Sequence, residues 1–69
     1  MTLQEAAKII GYNGGNRLFV KNMVSALNMC AWQNTAEQWQ RLEAGEKILG
    51  NWSGYLAECQ AYRNRKIKE

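Results

Sequence analysis

Two capping boxes, three apolar stripes at helical spacing and glycine-asparagine interruptions between them predict an all-α domain of three to four short helices. In the expected architecture, the N-terminal half packs on a C-terminal helical hairpin. Thr2 and Glu5 stand in the S/T-x-x-E spacing, in which the hydroxyl takes the N3 amide and the carboxylate reaches back to the cap's own N–H. The first helix therefore starts at the chain's start. Ala6 and Ala7 are small enough for a second helix to cross closely, Ile9 and Ile10 supply apolar area, and Gly11 can take the left-handed conformation that ends a helix.

The segment Asn13-Gly14-Gly15-Asn16 reads as a turn, and a second helix is expected from about Arg17 to about Ala31. Leu18, Val20, Met23, Val24, Leu27, Met29 and Cys30 wrap more than a narrow stripe of it, so this helix is expected to be the central, most buried one. Gln33-Asn34 breaks the pattern, and Thr35-Ala36-Glu37-Gln38 supplies the second capping box. Ala36, Trp39, Leu42, Ile48 and Leu49 share one face of the third helix, and Glu37 with Arg41 and Glu43 with Lys47 form i,i+4 pairs in the favourable order. Gly50, Asn51 and Ser53 fall together, which favours a break over one long rod; Asn51 or Ser53 is the expected cap of a fourth helix. Its stripe is Trp52, Tyr55, Leu56, Cys59 and Tyr62. The expected core is Ala6, Ile10, Leu18, Phe19, Met23, Leu27, Trp39, Leu42, Leu49, Leu56 and Cys59. Residues 1–62 are expected to form one compact helical domain, and residues 63–69 a basic C-terminal tail.

The short first helix, glycine turn and polar-to-basic start of the second helix form a helix-turn-helix layout. Thr2 to Tyr12 resembles the first half of many helix-turn-helix regulators. Gly15-Asn16-Arg17-Leu18-Phe19 is similar to a segment in the C-terminal domain of phage antirepressors. The resemblance covers residues 2–28 and implies a small DNA-binding transcriptional regulator of phage or mobile-element type. Asn16, Arg17, Lys21 and Asn22 are the expected readers, since arginine and asparagine match guanine and adenine edges and a helix N-terminus can sit on a phosphate. Arg63, Arg65 and Lys66 are the expected phosphate clamp.

Composition limits the alternatives. A chain of 69 residues is one domain near the lower limit for independent folding, where about 60% of the unfolded surface is buried. With 46% apolar residues it has enough core material to fold, and its net charge of +3 is a modest attraction for nucleic acid. Histidine and aspartate are absent and the glutamates are scattered, so no acid-base pair or activated nucleophile is visible; an enzyme, a cofactor and a small-molecule substrate are not expected. Cys30 and Cys59 lack any metal-ligand spacing and are expected to be free thiols, so no metal is expected either. No apolar run approaches the length of a membrane span and no leader pattern precedes the first helix, so a cytoplasmic location away from membranes is expected.

Three tryptophans and three tyrosines support a second reading. In it, a small helical adaptor or inhibitor binds a host or partner protein through exposed aromatic residues, tryptophan and tyrosine being common interface anchors. A homodimer is expected under both readings, with Trp52, Tyr55 and Tyr62 near or in the interface.

Overall fold

The Thr2 hydroxyl accepts from the Glu5 amide at 3.1 Å while the Glu5 carboxylate accepts from the Thr2 amide at 3.2 Å, so the first capping box forms as its spacing predicts. That return bond also holds the Glu5 carboxyl below its ordinary pKa. Helix α1 follows over Leu3–Ile10 and ends at Gly11, whose φ of 75° puts it in the left-handed region. The computed structural model describes residues 1–50 and 52–68, and their side chains except those of Ser53, Ile67 and Lys68. Helix α2 spans Leu18–Met29, α3 spans Ala36–Leu49 and α4 spans Tyr55–Lys68, with single 3-10 turns at Ala31–Gln33 and Trp52–Gly54. Among the described residues there is no strand, and no helix is long and apolar enough to cross a membrane.

The second capping box closes as predicted, with the Thr35 hydroxyl accepting from the Gln38 amide and the Gln38 side chain accepting from the Thr35 amide. Helix α3 stops at Gly50, whose φ of 63° and ψ of −129° turn the chain out of the helix. The third and fourth helices are therefore separate. The expected caps of the fourth, Asn51 and the Ser53 side chain, lie outside the described residues.

The central helix is α3. Helices α1 and α2 both lie against it, and it buries Leu42, Ala44, Gly45, Ile48 and Leu49. Helix α2, expected to be the most buried, hides Val20, Val24 and Asn28 only. Side-chain size explains the difference. Gly45 leaves the surface of α3 flat enough for the valines of α2 to sit directly on its backbone: a Cβ built on Gly45 would stand 2.6 Å from Val24 Cγ2 and 3.7 Å from Val20 Cγ1. The register of α2 on α3 therefore follows Val20 and Val24, and Leu18 and Phe19 turn outward at 52% and 46% exposure instead of joining the core. Ile10, Met23, Leu27, Trp39 and Leu56 pack at the core's edge, half-buried, while Ala6, Leu42, Leu49 and Cys59 lie within it as expected.

Of the residues expected as a basic tail, Glu69 lies outside the described residues and 63–68 continue α4. Its inward positions extend past Cys59 to Tyr62 and Arg63, one helical turn on, so the chain keeps its contacts with α2 and α3 by remaining helical. Arg63 is half-buried and its guanidinium lies 3.5 Å from the Glu46 carboxylate of α3. It also donates to the Asn28 Oδ1 of α2 at 3.2 Å and sits 5.4 Å above the Trp39 ring. The Asn28 amide donates in turn to the Cys59 carbonyl at 2.9 Å. This buried polar group joins three helices, and no buried side-chain nitrogen or oxygen among the described residues is left without a partner.

Candidate functional site

With 3.6 residues per turn, each residue of α2 advances about 100° around the helix axis. Val20, Val24 and Asn28 occupy one narrow arc and are buried. On the opposite side, Leu18, Met29, Asn22, Ala26 and Phe19 follow one another around an arc of about 100°, and Cys30, just beyond the helix, extends it; all six are exposed. The large members are well exposed: Leu18 at 52%, Phe19 at 46% and Met29 at 62%. Asn22 is the single amide on this arc, and no charged side chain falls within it. Trp32, in the turn that follows, is 49% exposed. The outward face of α2 is thus about as apolar as its inward face, an arrangement a solvated helix does not adopt.

One end of the arc is held by a rigid turn. The Tyr12 hydroxyl donates to the Gly15 carbonyl at 2.7 Å, the Gly15 amide donates to Asn13 Oδ1 at 3.1 Å, and the Tyr12 ring lies 6.0 Å from that of Phe19. The other end is fixed from two sides: the Asn34 amide donates to the Leu27 carbonyl at 2.9 Å and the Tyr62 hydroxyl donates to the Met29 carbonyl at 3.3 Å, so two of the last carbonyls of α2 are satisfied by side chains.

The residues singled out in the sequence fall at several separate places. Asn16 accepts from the Leu18 amide through Oδ1 at 2.8 Å and so serves the start of α2. Arg17 is exposed and lines a cavity of about 460 Å³ together with Leu3, Tyr12, Gly14 and Ile48. The Lys21 ammonium lies 5.4 Å above the Tyr55 ring, and Asn22 is exposed on the outward arc. Arg63 is engaged with Glu46, Asn28 and Trp39. Arg65 and Lys66 flank the Tyr62 ring at 6.0 and 5.9 Å. Since Tyr62 reaches Met29, the Arg65 and Lys66 pair lies toward the C-terminal end of α2, whereas Arg17 stands at its N-terminal end; the helix between them is about 18 Å long. The fold does not gather the basic residues on one face.

Trp52 is 36% exposed. Tyr55 and Tyr62 are half-buried and turn their hydroxyls toward α2. The Tyr55 hydroxyl donates to the Lys21 carbonyl at 3.2 Å and meets the Ser25 hydroxyl, and burial pushes its pKa above the ordinary 10.0. Cys30 is a free, exposed thiol and Cys59 a free, buried one, and no cluster of metal-ligating residues occurs among the described residues. Sequence reasoning missed the outward arc because apolar residues all around a helix read as burial on every side. The available signal was the 19-22-26-29 spacing, which repeats the helical period half a turn away from Val20 and Val24. No protein-family model, curated protein or solved structure matches the chain.

Proposed function

We propose that this chain is a small, non-enzymatic protein-interaction module, of the adaptor or inhibitor kind, that engages another polypeptide with the outward face of α2. The observation that carries this reading is the arc of Leu18, Phe19, Ala26 and Met29, an exposed apolar face on a helix whose opposite face already forms the core. Phenylalanine and methionine are enriched in protein interfaces, and a helix presenting such a face is a recurrent recognition element. The test is site-specific photo-crosslinking in expressing cells with p-benzoylphenylalanine at position 29 and, as a control, at the exposed position 40 of α3. A nuclease-resistant adduct to protein from position 29 and none from position 40 supports the reading. No adduct at 29, or equal adducts at both, overturns it.

A regulatory DNA-binding role is the second reading, favoured by the exposure of Arg17 and Asn22 at the start of α2. It predicts duplex binding that weakens with salt. Replacing Arg17 and Lys21 by alanine should then lower the salt slope by about one for each phosphate left without its cation. Salt-independent binding, or none, removes it.

A further inference from the structure

Helix α1, the end of α3 and the turn before α2 border an open cleft of about 460 Å³, within the roughly 300–1,000 Å³ of small-ligand sites. No residue of the outward arc of α2 lines it. Its apolar part follows from the helices. Leu3 and Ala7 stand one turn apart on α1, and Ile48 comes from the last turn of α3. The Tyr12 hydroxyl is engaged with the Gly15 carbonyl, so what Tyr12 offers the cleft is its ring. Ile48 is buried but Leu3 is 59% exposed, and a ligand lying over Leu3 would take that apolar surface out of water.

The polar part of the cleft is one-sided. Arg17 is exposed, and its guanidinium has no ion pair, hydrogen bond or ring contact among the described residues. The Asn13 Oδ1 accepts from the Gly15 amide at 3.1 Å, which leaves the Asn13 NH2 group, a donor, for a ligand. No carboxylate lines the cleft, and Glu5, next to Gln4 in the chain, turns its own carboxylate to the Thr2 amide. Helix α2 has no acidic residue in its first turn, so the positive end of its dipole is uncompensated beside Arg17. An anion therefore meets a cation and a donor here, with an apolar wall next to them. The planar guanidinium fork matches a carboxylate, whereas a phosphate monoester would bring a second charge to a cleft lined by one cation.

From this pairing we infer that the cleft binds a small monocarboxylic acid, with its apolar tail over Leu3, Ala7 and Ile48 and its carboxylate on Arg17 and the Asn13 NH2 group. The cleft is separate from the outward face of α2, so this site stands or falls independently of the protein-interaction reading.

Titration of the full chain with octanoate, followed by amide and methyl chemical shifts in nuclear magnetic resonance, is the test. A dissociation constant of the order of 1 mM is expected for so open a cleft, with the largest shifts at Leu3, Gln4, Ala7, Arg17 and Ile48. Octanol, which has the tail without the charge, should bind at least about tenfold more weakly, and acetate, which has the charge without the tail, should leave those residues unmoved. Arg17→Gln should weaken octanoate about tenfold and leave octanol unchanged; Leu3→Ser should weaken both. Both positions are exposed, so the spectra of the free variants should match that of the wild type away from the cleft. Octanoate shifts confined to Leu18, Phe19 and Met29, equal affinity for octanol, equal shifts with acetate, an Arg17→Gln variant that binds octanoate as the wild type does, or no binding of octanoate at all would each overturn the inference.

Discussion

Helix α2 meets its two neighbours through opposite chemistry. Its seam with α3 is made of methyl groups on bare backbone, Val20 and Val24 against Gly45. Its seam with α4 is made of directional polar contacts: Asn28 to the Cys59 carbonyl, Arg63 to Asn28, Tyr55 to the Lys21 carbonyl and Tyr62 to the Met29 carbonyl. The first seam is specified by volume, because apolar burial is non-directional and close packing rejects the wrong shape. The second is specified by angle, because each bond breaks when its partner moves. Helix α4 thus keeps its register without a broad apolar stripe, and α2 has no further side left for a core contact. The arc that remains is the one available to a partner.

The sharpest way to break the polar seam is Arg63→Ala. It leaves the Glu46 carboxylate, only 12% exposed at its side chain, without its cation and takes a donor from the buried Asn28. Removing one partner of a buried pair costs about 3 kcal/mol, more than half of the roughly 5 kcal/mol expected for so small a domain. Urea titration followed by tryptophan fluorescence should show a midpoint shift of that size. A shift under about 0.5 kcal/mol would reduce Arg63–Glu46 to an ordinary surface pair. Replacing both members, Arg63→Met with Glu46→Leu, should recover most of the stability, since the desolvation of two charges disappears with them.

The apolar seam should respond to volume alone. Gly45→Ala gains about 1 kcal/mol in helix propensity. Its new methyl, however, lies 2.6 Å from Val24 Cγ2 and 2.9 Å from Met23 Cε. The methionine can swing away; the buried valine cannot. Overpacking of this kind costs about 1–3 kcal/mol, so a net loss of about 1 kcal/mol is expected in thermal or urea unfolding, reduced when Val24→Ala is added. A net gain in the single variant would show that α2 and α3 are not in close contact at this point.

The two seams also divide what could be read in the chain from what could not. Local signals carried the helix ends: both capping boxes, the left-handed Gly11 and the break at Gly50 are each determined within about four residues. Which helix lies at the centre depends on how two surfaces match, and Ala44-Gly45 gives no periodic signal of that. Leu18 and Phe19 are indistinguishable from core residues until the register set by Val20 and Val24 turns them outward. Arg63 read as tail because a charged run gives no indication of a buried carboxylate on another helix. For the same reason the basic residues looked like one DNA-facing set in the sequence, although α2 separates Arg17 from the Arg65 and Lys66 pair.

The smallest expected effect tests the polar seam from its other end. Tyr55 donates to the Lys21 carbonyl and meets Ser25, so Tyr55→Phe should cost about 1 kcal/mol at neutral pH. Burial raises the phenol above 10.0 in the folded chain, and the neighbouring Cys59 raises it further, against the opposing pull of Ser25. Below 10.0 the phenol is protonated in both states and its contribution is fully present. As pH rises past that value, the unfolded chain loses its proton first, so the contribution falls until the folded phenol ionises as well. The stability gap between the wild type and Tyr55→Phe should therefore be constant from about pH 7 to 9 and narrow above 10.0. Melting curves of the two proteins across that range cancel the other titrating groups they share. A gap that stays constant or widens above 10.0 would mean that the Tyr55 hydroxyl faces solvent, and that the polar seam with α4 is held by Asn28, Arg63 and Tyr62.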